Sequence, residues 1–245
     1  MISKISIIGK GNVGNWLYQA LIQQKDHHFT VQHVSGRDLS TLNSNADIYI
    51  FALPDHIYLE VLDSLPFKLS FAVHTSGSLS KSILEPYASE FGVLYPFQTI
   101  SCHSVDQYKE LSIPICIDVN NKHLIDDLKQ LATIFGDQIY HLDDHQRHTI
   151  HLAAVFASNF SNALYDISFK ILEKKQIDWK IMHPLLLETV QKVLIQKPNQ
   201  VQTGPTNRKD FNIINTHIEE LKGTPYESVY KIMTDYILQN ISKSS

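Results

Sequence analysis

The sequence predicts an α/β fold in which a mostly parallel sheet is followed by an all-α C-terminal domain. Two observations predict it. Strand-like and helix-like segments alternate from the N-terminus to about Leu142, and that alternation builds a parallel sheet covered on both faces. Beyond Leu142 the apolar residues recur at helical spacing only. The change of periodicity, with no flexible linker, sets the expected domains: residues 1–143 for the sheet and residues 144–245 for the helices.

The first element carries the most information. Ile5-Ser6-Ile7-Ile8 is a strand-like run, Gly9-Lys10-Gly11-Asn12-Val13-Gly14 follows, and Val13, Trp16, Leu17, Ala20 and Leu21 then mark one helix face. A lone G-x-G-x-x-G is weak evidence. Strand, glycines and helix in that order form a Rossmann-type dinucleotide fingerprint. Gly9 permits the tight turn, Gly11 lets a pyrophosphate reach the backbone, and Gly14 lets helix and strand close on each other. Asn12 and Val13 then open a helix whose free N–H groups and positive dipole end suit phosphates. Lys10 reads as a solvated side chain that can screen phosphate charge.

The remaining elements follow in order. Phe29–Val34 and Ala46–Leu53 read as the second and third strands. Pro54-Asp55 opens a helix with Ile57, Val61 and Leu62 apolar and Asp55 as its N-cap. Leu69–His74, Phe91–Tyr95 and Ile115–Val119 are strands four to six, and a helix over about 122–135 precedes the seventh, Gln138–Leu142. In the helical half, Asp143-Asp144 caps a long helix over about 145–174. A second spans 178 to about 196 and breaks at Lys197-Pro198-Asn199. A third starts at Gly204-Pro205 and runs to Lys222. The last has Thr224 as N-cap, Pro225 at the first helical position and Glu227 completing a capping box.

Composition bounds the function. The 245 residues are 43% hydrophobic, ample for a core. A net charge of -4 without a basic run gives a nucleic-acid partner no electrostatic support. No apolar stretch reaches the length of a membrane span, and a strand so close to the first residue leaves no room for a leader peptide, so a cytoplasmic protein is expected. Cys102 and Cys116 lack metal-ligand spacing and are expected as reduced packing thiols. His145, His148 and His151 fall at i+3 steps, with His141 upstream, but such steps wind around a helix. No metal site is expected from them.

The end of the second strand speaks to cofactor identity. It reads His33-Val34-Ser35-Gly36-Arg37-Asp38, with no acid at the strand terminus where NAD's ribose is usually bound. Ser35 and Arg37 stand where a 2′-phosphate would lie, and a guanidinium offers phosphate a bidentate fork. NADP(H) is therefore expected. The alternative is a solvated Arg37 with Asp38 facing the ribose.

Three loops at the carboxyl ends of strands carry further chemistry, because ligands of open parallel sheets bind there. They are Leu53-Pro54-Asp55-His56, His74-Thr75-Ser76-Gly77-Ser78 and Tyr95-Pro96-Phe97-Gln98-Thr99-Ile100-Ser101. Leu53, Pro54 and Ser76 are candidate cofactor contacts, and His74 and Gln98 candidate substrate contacts. For Ser76 and Gly77, ordinary turn chemistry is the equal alternative. On the first long helix, His148, His151, Val155, Ser158, Asn159 and Asn162 share a broad face. Polar groups aligned in an apolar helix need partners, and a substrate or a helix–helix network would supply them. Near Gly204-Pro205, Arg208 suits a carboxylate or phosphate, with Asp210 beside it. A surface Arg208–Asp210 pair is the plainer reading.

Together these segments resemble a family of Rossmann-like oxidoreductases with a C-terminal helical domain of unknown function. That family is grouped with deazaflavin-dependent NADP reductases, pyrroline-5-carboxylate reductase and the 6-phosphogluconate dehydrogenase superfamily. The resemblance covers nearly the whole chain. It rests on the glycine loop, Ala52-Leu53-Pro54-Asp55, His74-Thr75-Ser76-Gly77, Tyr95-Pro96-Phe97-Gln98, His151 to Asn159, and Thr203-Gly204-Pro205 with Arg208 and Asp210. Many members have His-Pro in place of Tyr95-Pro96 and Arg-Gly-Asp in place of Arg208-Lys209-Asp210. The hydroxyacid dehydrogenases of the superfamily place a lysine four residues before an asparagine, and no lysine falls in the stripe around Asn159. The resemblance implies NADP(H) binding and a homodimer formed through the helical domain; it supplies no substrate.

The expected function is hydride transfer between NADP(H) and a small, anionic metabolite held between the domains. His151 is the first candidate for acid–base work, since histidine titrates near neutrality, and Tyr95 the second. Asn159 and Asn162 would orient the substrate, and Arg208 would anchor it. A non-catalytic NADP(H)-binding sensor is the alternative, motivated by the missing lysine.

Overall fold

A computed structural model describes residues 2–24, 29–101 and 112–241 of the chain. Cys102 lies outside them. Seven strands form one sheet: β1 (Lys4–Ile8), β2 (Thr30–Val34), β3 (Ile48–Phe51), β4 (Leu69–His74), β5 (Ala88–Pro96), β6 (Pro114–Val119) and β7 (Gln138–His141). Their order is β2-β1-β3-β4-β5-β6-β7. Every neighbouring pair is parallel except β5 and β6, which run antiparallel. Each predicted strand is present, and β5 is longer than the expected Phe91–Tyr95 at both ends.

Strand alternation splits the core into two layers. Ile5, Ile7, Ile48, Ile50, Val73, Leu94 and Ile115 face Trp16, Leu17 and Leu21 of α1 (Asn12–Ile22) and Leu128 and Leu131 of α3 (Ile125–Ala132). On the other side Ile8, Tyr49, Phe51 and Ala72 meet Tyr58, Val61 and Leu62 of α2 (Tyr58–Asp63). A sheet buried on both faces needs apolar residues in both phases, which is why β3 reads as a continuous apolar run. Cys116 is buried on β6, and burial raises its thiol to about 11, so it is a packing residue rather than a nucleophile.

Chain contacts divide the protein into two compact units, Met1–Asn159 and Phe160–Ser245. The sheet ends near the expected boundary at residue 143, but α4 (Asp144–Ala154) belongs to the first unit. Asp143 caps it with a full capping box closed by Gln146. Hydrogen bonds tie its first turn to the loop after β4. The Asp144 carboxylate accepts from the Ser80 hydroxyl and the Lys81 N–H, and the buried Arg147 donates to Asp144 and to the Leu79 carbonyl.

The expected single helix over 145–174 is interrupted. Val155–Phe160 is a π-helical segment between α4 and α5 (Ser161–Glu173). In the second unit α6 (His183–Ile195), α7 (Phe211–Leu221) and α8 (Tyr226–Ile241) follow. The third helix of this half does not start at Gly204-Pro205 as expected. Residues 204–209 form turns, Lys209 adopts a left-handed φ of 56°, and Asp210 caps α7 by accepting from the Ile213 N–H at 3.3 Å. The left-handed residue breaks any helix begun at Pro205. At α8, the Thr224 hydroxyl accepts from Tyr226 N–H at 3.3 Å, while the Glu227 carboxylate takes the Gly223 N–H at 3.0 Å, one residue earlier than a capping box predicts. No helix among the described residues is long and apolar enough to cross a membrane.

Lys209 holds a left-handed conformation that costs an L-residue free energy. Lys209→Gly is expected to stabilise the fold by about 1 kcal/mol after the entropy cost of glycine. Calorimetry should show a midpoint raised by roughly 2–4 °C; an unchanged or lowered midpoint would show that the turn carries no strain.

Candidate functional site

The glycine loop sits where the strand order turns back. From β1 the sheet extends one way to β2 and the other way to β3, and the crevice beyond the carboxyl ends of these strands is the ligand position of open α/β sheets. A cavity of about 770 Å³ lies there, lined by Gly9, Lys10, Gly11, Ser35, Gly36, Arg37, Leu53 and Pro54 among others. The two outer glycines are needed for close approach. A Cβ on Gly9, which has φ +120°, would fall 2.1 Å from the Ala52 carbonyl oxygen, and one on Gly14 would fall 1.8 Å from the Gly9 carbonyl oxygen. Around Gly11 a Cβ would meet nothing within 4 Å, so the open side faces the cavity. Asn12 and Val13 form the first turn of α1 and are not among the residues that line the cavity.

Ser35 and Arg37 line this cavity, and the Arg37 N–H donates to Ser35 Oγ at 3.2 Å. Asp38 is turned to a different task. Its carboxylate accepts from the Ser40 hydroxyl at 2.7 Å and the Ser40 N–H at 3.0 Å, and these bonds hold it below the usual carboxylate range. Glu60 of α2 and Ser64, its C-cap, also line the cavity. Sequence reasoning missed them because an exposed helix face offers no chemical pattern.

A second cavity of about 360 Å³ lies between the end of β5 with the segment that follows it and the helix made of α4 and the π segment. Tyr95, Phe97, Gln98, Thr99, His151, Val155, Ser158 and Asn159 line it, with Ala154 and Ala157. Helix geometry explains how His151 and Asn159 come to share it. At about 100° per residue, eight residues of α-helix would leave Asn159 roughly 80° round from His151. The wider i→i+5 turns of 155–160 rotate less per residue and carry Asn159 back towards His151. Val155 occupies the position four residues before Asn159 and is apolar.

Tyr95 and His151 form a pair. Tyr95 Oη lies 3.1 Å from His151 Nδ1, and the rings meet edge to face at 6.1 Å. Burial pushes the Tyr95 hydroxyl up to about 12, with the buried Arg147 charge pulling the other way. Tyr95 therefore keeps its proton, and Oη and Nδ1 share one hydrogen bond whose direction follows the His151 tautomer. Gly77 makes room for the pair: a Cβ there would fall 2.5 Å from His151 Nδ1 and 2.8 Å from Tyr95 Cζ. Gly77 abuts the pair, whereas Ser76 is spent on the turn, its Oγ accepting from the Ser78 N–H at 3.1 Å and the Leu79 N–H at 3.0 Å.

His74 is fully buried, its Nδ1 accepting from the Ser76 N–H at 3.2 Å and its ring set edge-on to Tyr58. An enclosed ring has no face for a substrate, and its work is to hold the loop that carries Gly77. Arg147, which the sequence analysis did not single out, is 1% exposed, one turn before His151. Its Nε and Nη1 are buried without an acceptor among the described residues. No signal in Gln146-Arg147-His148 distinguishes a buried arginine from a solvated one. Asn162, Arg208 and Asp210 lie in the second unit: Asn162 is exposed on α5, Arg208 is exposed in the turn, and Asp210 is the α7 cap.

Comparison with known proteins places these features in context. Residues 113–237, just over half of the chain, match a family described as a domain of unknown function, DUF2520. No curated protein matches the chain. Among solved structures, a Bacteroides fragilis protein provisionally assigned as an NADP oxidoreductase is 29% identical over 97% of this chain and 98% of its own, with a TM-score of 0.86. A Thermotoga maritima protein is 18% identical over 98% and 99%, with a TM-score of 0.71. The 1-pyrroline-5-carboxylate reductase of Streptococcus pyogenes is 14% identical over 98% of each chain, with a TM-score of 0.58. The last two share the fold.

Two outcomes follow from this geometry. Gly77→Ala should cost about 1–3 kcal/mol by overpacking, seen as a lower unfolding midpoint; an unchanged midpoint would mean that the loop yields freely. Burial, with Arg147 second, pushes His74 down to about 4, against about 6.5 when unfolded. Between these values the unfolded chain holds the extra proton, so stability falls as pH drops from about 6.5 to about 4, by on the order of 3 kcal/mol. His74→Leu should flatten the acid limb of a midpoint-against-pH curve, and an equally steep limb would remove the assignment.

Proposed function

The chain belongs to the DUF2520 family, and we propose that it is an NADP(H)-dependent oxidoreductase acting on a small, anionic metabolite. The observation that carries this is one cavity bounded by both the glycine loop and Ser35-Gly36-Arg37, with Asp38 bonded to Ser40 instead. Gly9, Gly11, Asn12, Val13 and Gly14 would hold the pyrophosphate, Ser35 and Arg37 the 2′-phosphate, and Leu53 and Pro54 the wall beside the ribose. The resemblance to the Bacteroides fragilis protein supports the same cofactor. When bound, NADPH supplies the hydride.

The chain's own residues manage the proton. As an imidazolium, His151 would give an N–H proton to a carbonyl oxygen or imine nitrogen and be left neutral, its ring held at Nδ1 by Tyr95 Oη. Gln98 and Asn159 are neutral hydrogen-bonding groups beside them and orient the reacting group. Arg208 and Asn162, both exposed in the second unit, are candidate contacts for an anionic substrate. Asp210 and Ser76 contribute by fixing their turns.

We also propose that the functional species is a homodimer. On α6, Leu185, Leu187, Val190, Val193, Leu194 and Ile195 are all exposed, the last two by 79% and 81%. So much exposed apolar surface on one helix favours enclosure, and 13 residues are too few to persist alone. A second copy of the chain is the enclosing partner.

NADPH should bind at least tenfold more tightly than NADH, and Arg37→Ala should abolish that preference. Equal affinities, unchanged by the substitution, would defeat the 2′-phosphate assignment. With a substrate identified from a library of oxo acids and imines, His151→Ala should lower kcat by about 10²–10⁴-fold. A protein that binds NADPH but consumes none across the library is a sensor. Light scattering should give a dimer mass for the native chain and a monomer or aggregate for Leu187→Glu; a native monomer would exclude the dimer.

A further inference from the structure

The glycine loop is held from beneath by a residue that the fingerprint does not include. His33 is half-buried on β2, on the α1 side of the sheet. Its ring stacks on Tyr18 of α1, with centroids 4.9 Å apart and planes inclined by 24°. Its Nε2 lies 2.9 Å from the Gly9 carbonyl oxygen. A carbonyl only accepts, so Nε2 carries the hydrogen and donates. The Gly9 N–H meanwhile donates to the Val34 carbonyl at 2.9 Å. Both polar groups of Gly9 are thus tied to the end of β2.

This bond has a consequence for the next residue. The Gly9–Lys10 peptide is trans and planar, so its C=O and N–H point in opposite directions. A carbonyl turned to His33 turns the Lys10 N–H away from β2. One residue on, Asn15 Nδ2 donates to the Lys10 carbonyl at 3.0 Å, which orients the Gly11 N–H by the same rule. No acceptor among the described residues takes the N–H of Lys10 or Gly11. Both residues line the cavity of the glycine loop. Glycine has cheap alternative conformations, and a flipped peptide would present a carbonyl, which repels phosphate, in place of a donor.

We propose that His33 is a positioning residue for the cofactor's phosphates: by holding the Gly9 carbonyl it commits the Lys10 N–H to the cavity as a phosphate donor. The proposal rests on the reading of this cavity as a dinucleotide site. His33→Phe keeps a ring against Tyr18 and removes the donor; His33→Gln keeps a nitrogen donor of similar reach. The probes are NADPH, which has the pyrophosphate, and adenosine 2′-monophosphate, which lacks it. Binding is measured by calorimetry on the full chain, with the ligand-free unfolding midpoint recorded for each variant. His33→Phe should weaken NADPH about tenfold, the worth of one hydrogen bond, and leave adenosine 2′-monophosphate unchanged. His33→Gln should restore most of the loss. Should the Phe variant not fold, His33→Asn, too short to reach Gly9, takes its place. Undiminished NADPH binding, an equal loss for both probes, or no rescue by glutamine would overturn the role of His33. Failure of the native chain to bind either probe would instead overturn the dinucleotide reading itself.

Discussion

Much of this structure depends on how closely the backbone of α1 comes to the end of β1. At Gly14 there is no space for even one carbon beyond the main chain, because the Gly9 carbonyl oxygen occupies it. Gly9 is in turn pressed against the Ala52 carbonyl after β3. Three segments therefore converge within van der Waals contact at the point where the sheet order reverses. Their convergence sets α1 over the sheet and opens the crevice that Ser35, Arg37, Leu53 and Pro54 then line. Larger residues at these two glycines would push the helix off the strand, and the crevice would lose its floor.

The second cavity is built by a different device. Here a buried cation, Arg147, ties the first turn of α4 to the loop after β4, and Asp144 doubles the attachment. Burying a guanidinium with two nitrogens unpaired among the described residues is costly. What the cost maintains is a fixed distance between α4 and the loop, and so the contact of Gly77 with Tyr95 and His151. The antiparallel entry of β6 contributes as well, because pairing with β6 extends β5 as far as Pro96 and holds Tyr95 opposite Cys116. The π segment completes the arrangement by returning Asn159 to the side of His151.

The strands were legible because burial on both faces leaves runs such as Ile48–Phe51 without a polar interruption. Tyr95, His151 and Asn159 were legible as candidates because polar groups on apolar elements need partners. Other features left no trace in residue order. The π segment changes the helical period over a single turn, too short a stretch for a periodicity to register. Gly204-Pro205 carried the signature of a helix start, yet the left-handed Lys209 moved that start to Phe211. His74 and Ser76 had the chemistry of ligand contacts, but their hydrogen bonds go to their own loop. Arg147 resembled any solvated arginine.

Sequence by itself determined the order of the strands and helices, the glycine loop, and the polar residue types placed at the carboxyl ends of the strands. These are local properties, set by spacing along the chain and by side-chain chemistry. Tertiary structure decided which of those groups face a cavity and which face the core. It joined Tyr95 to His151 across 56 residues, turned Asp38 to Ser40, buried His74 and Arg147, and set His33 beneath the Gly9 carbonyl. The reason is physical: the direction of a side chain depends on what packs against it, and packing partners are chosen by the fold rather than by neighbours in the chain.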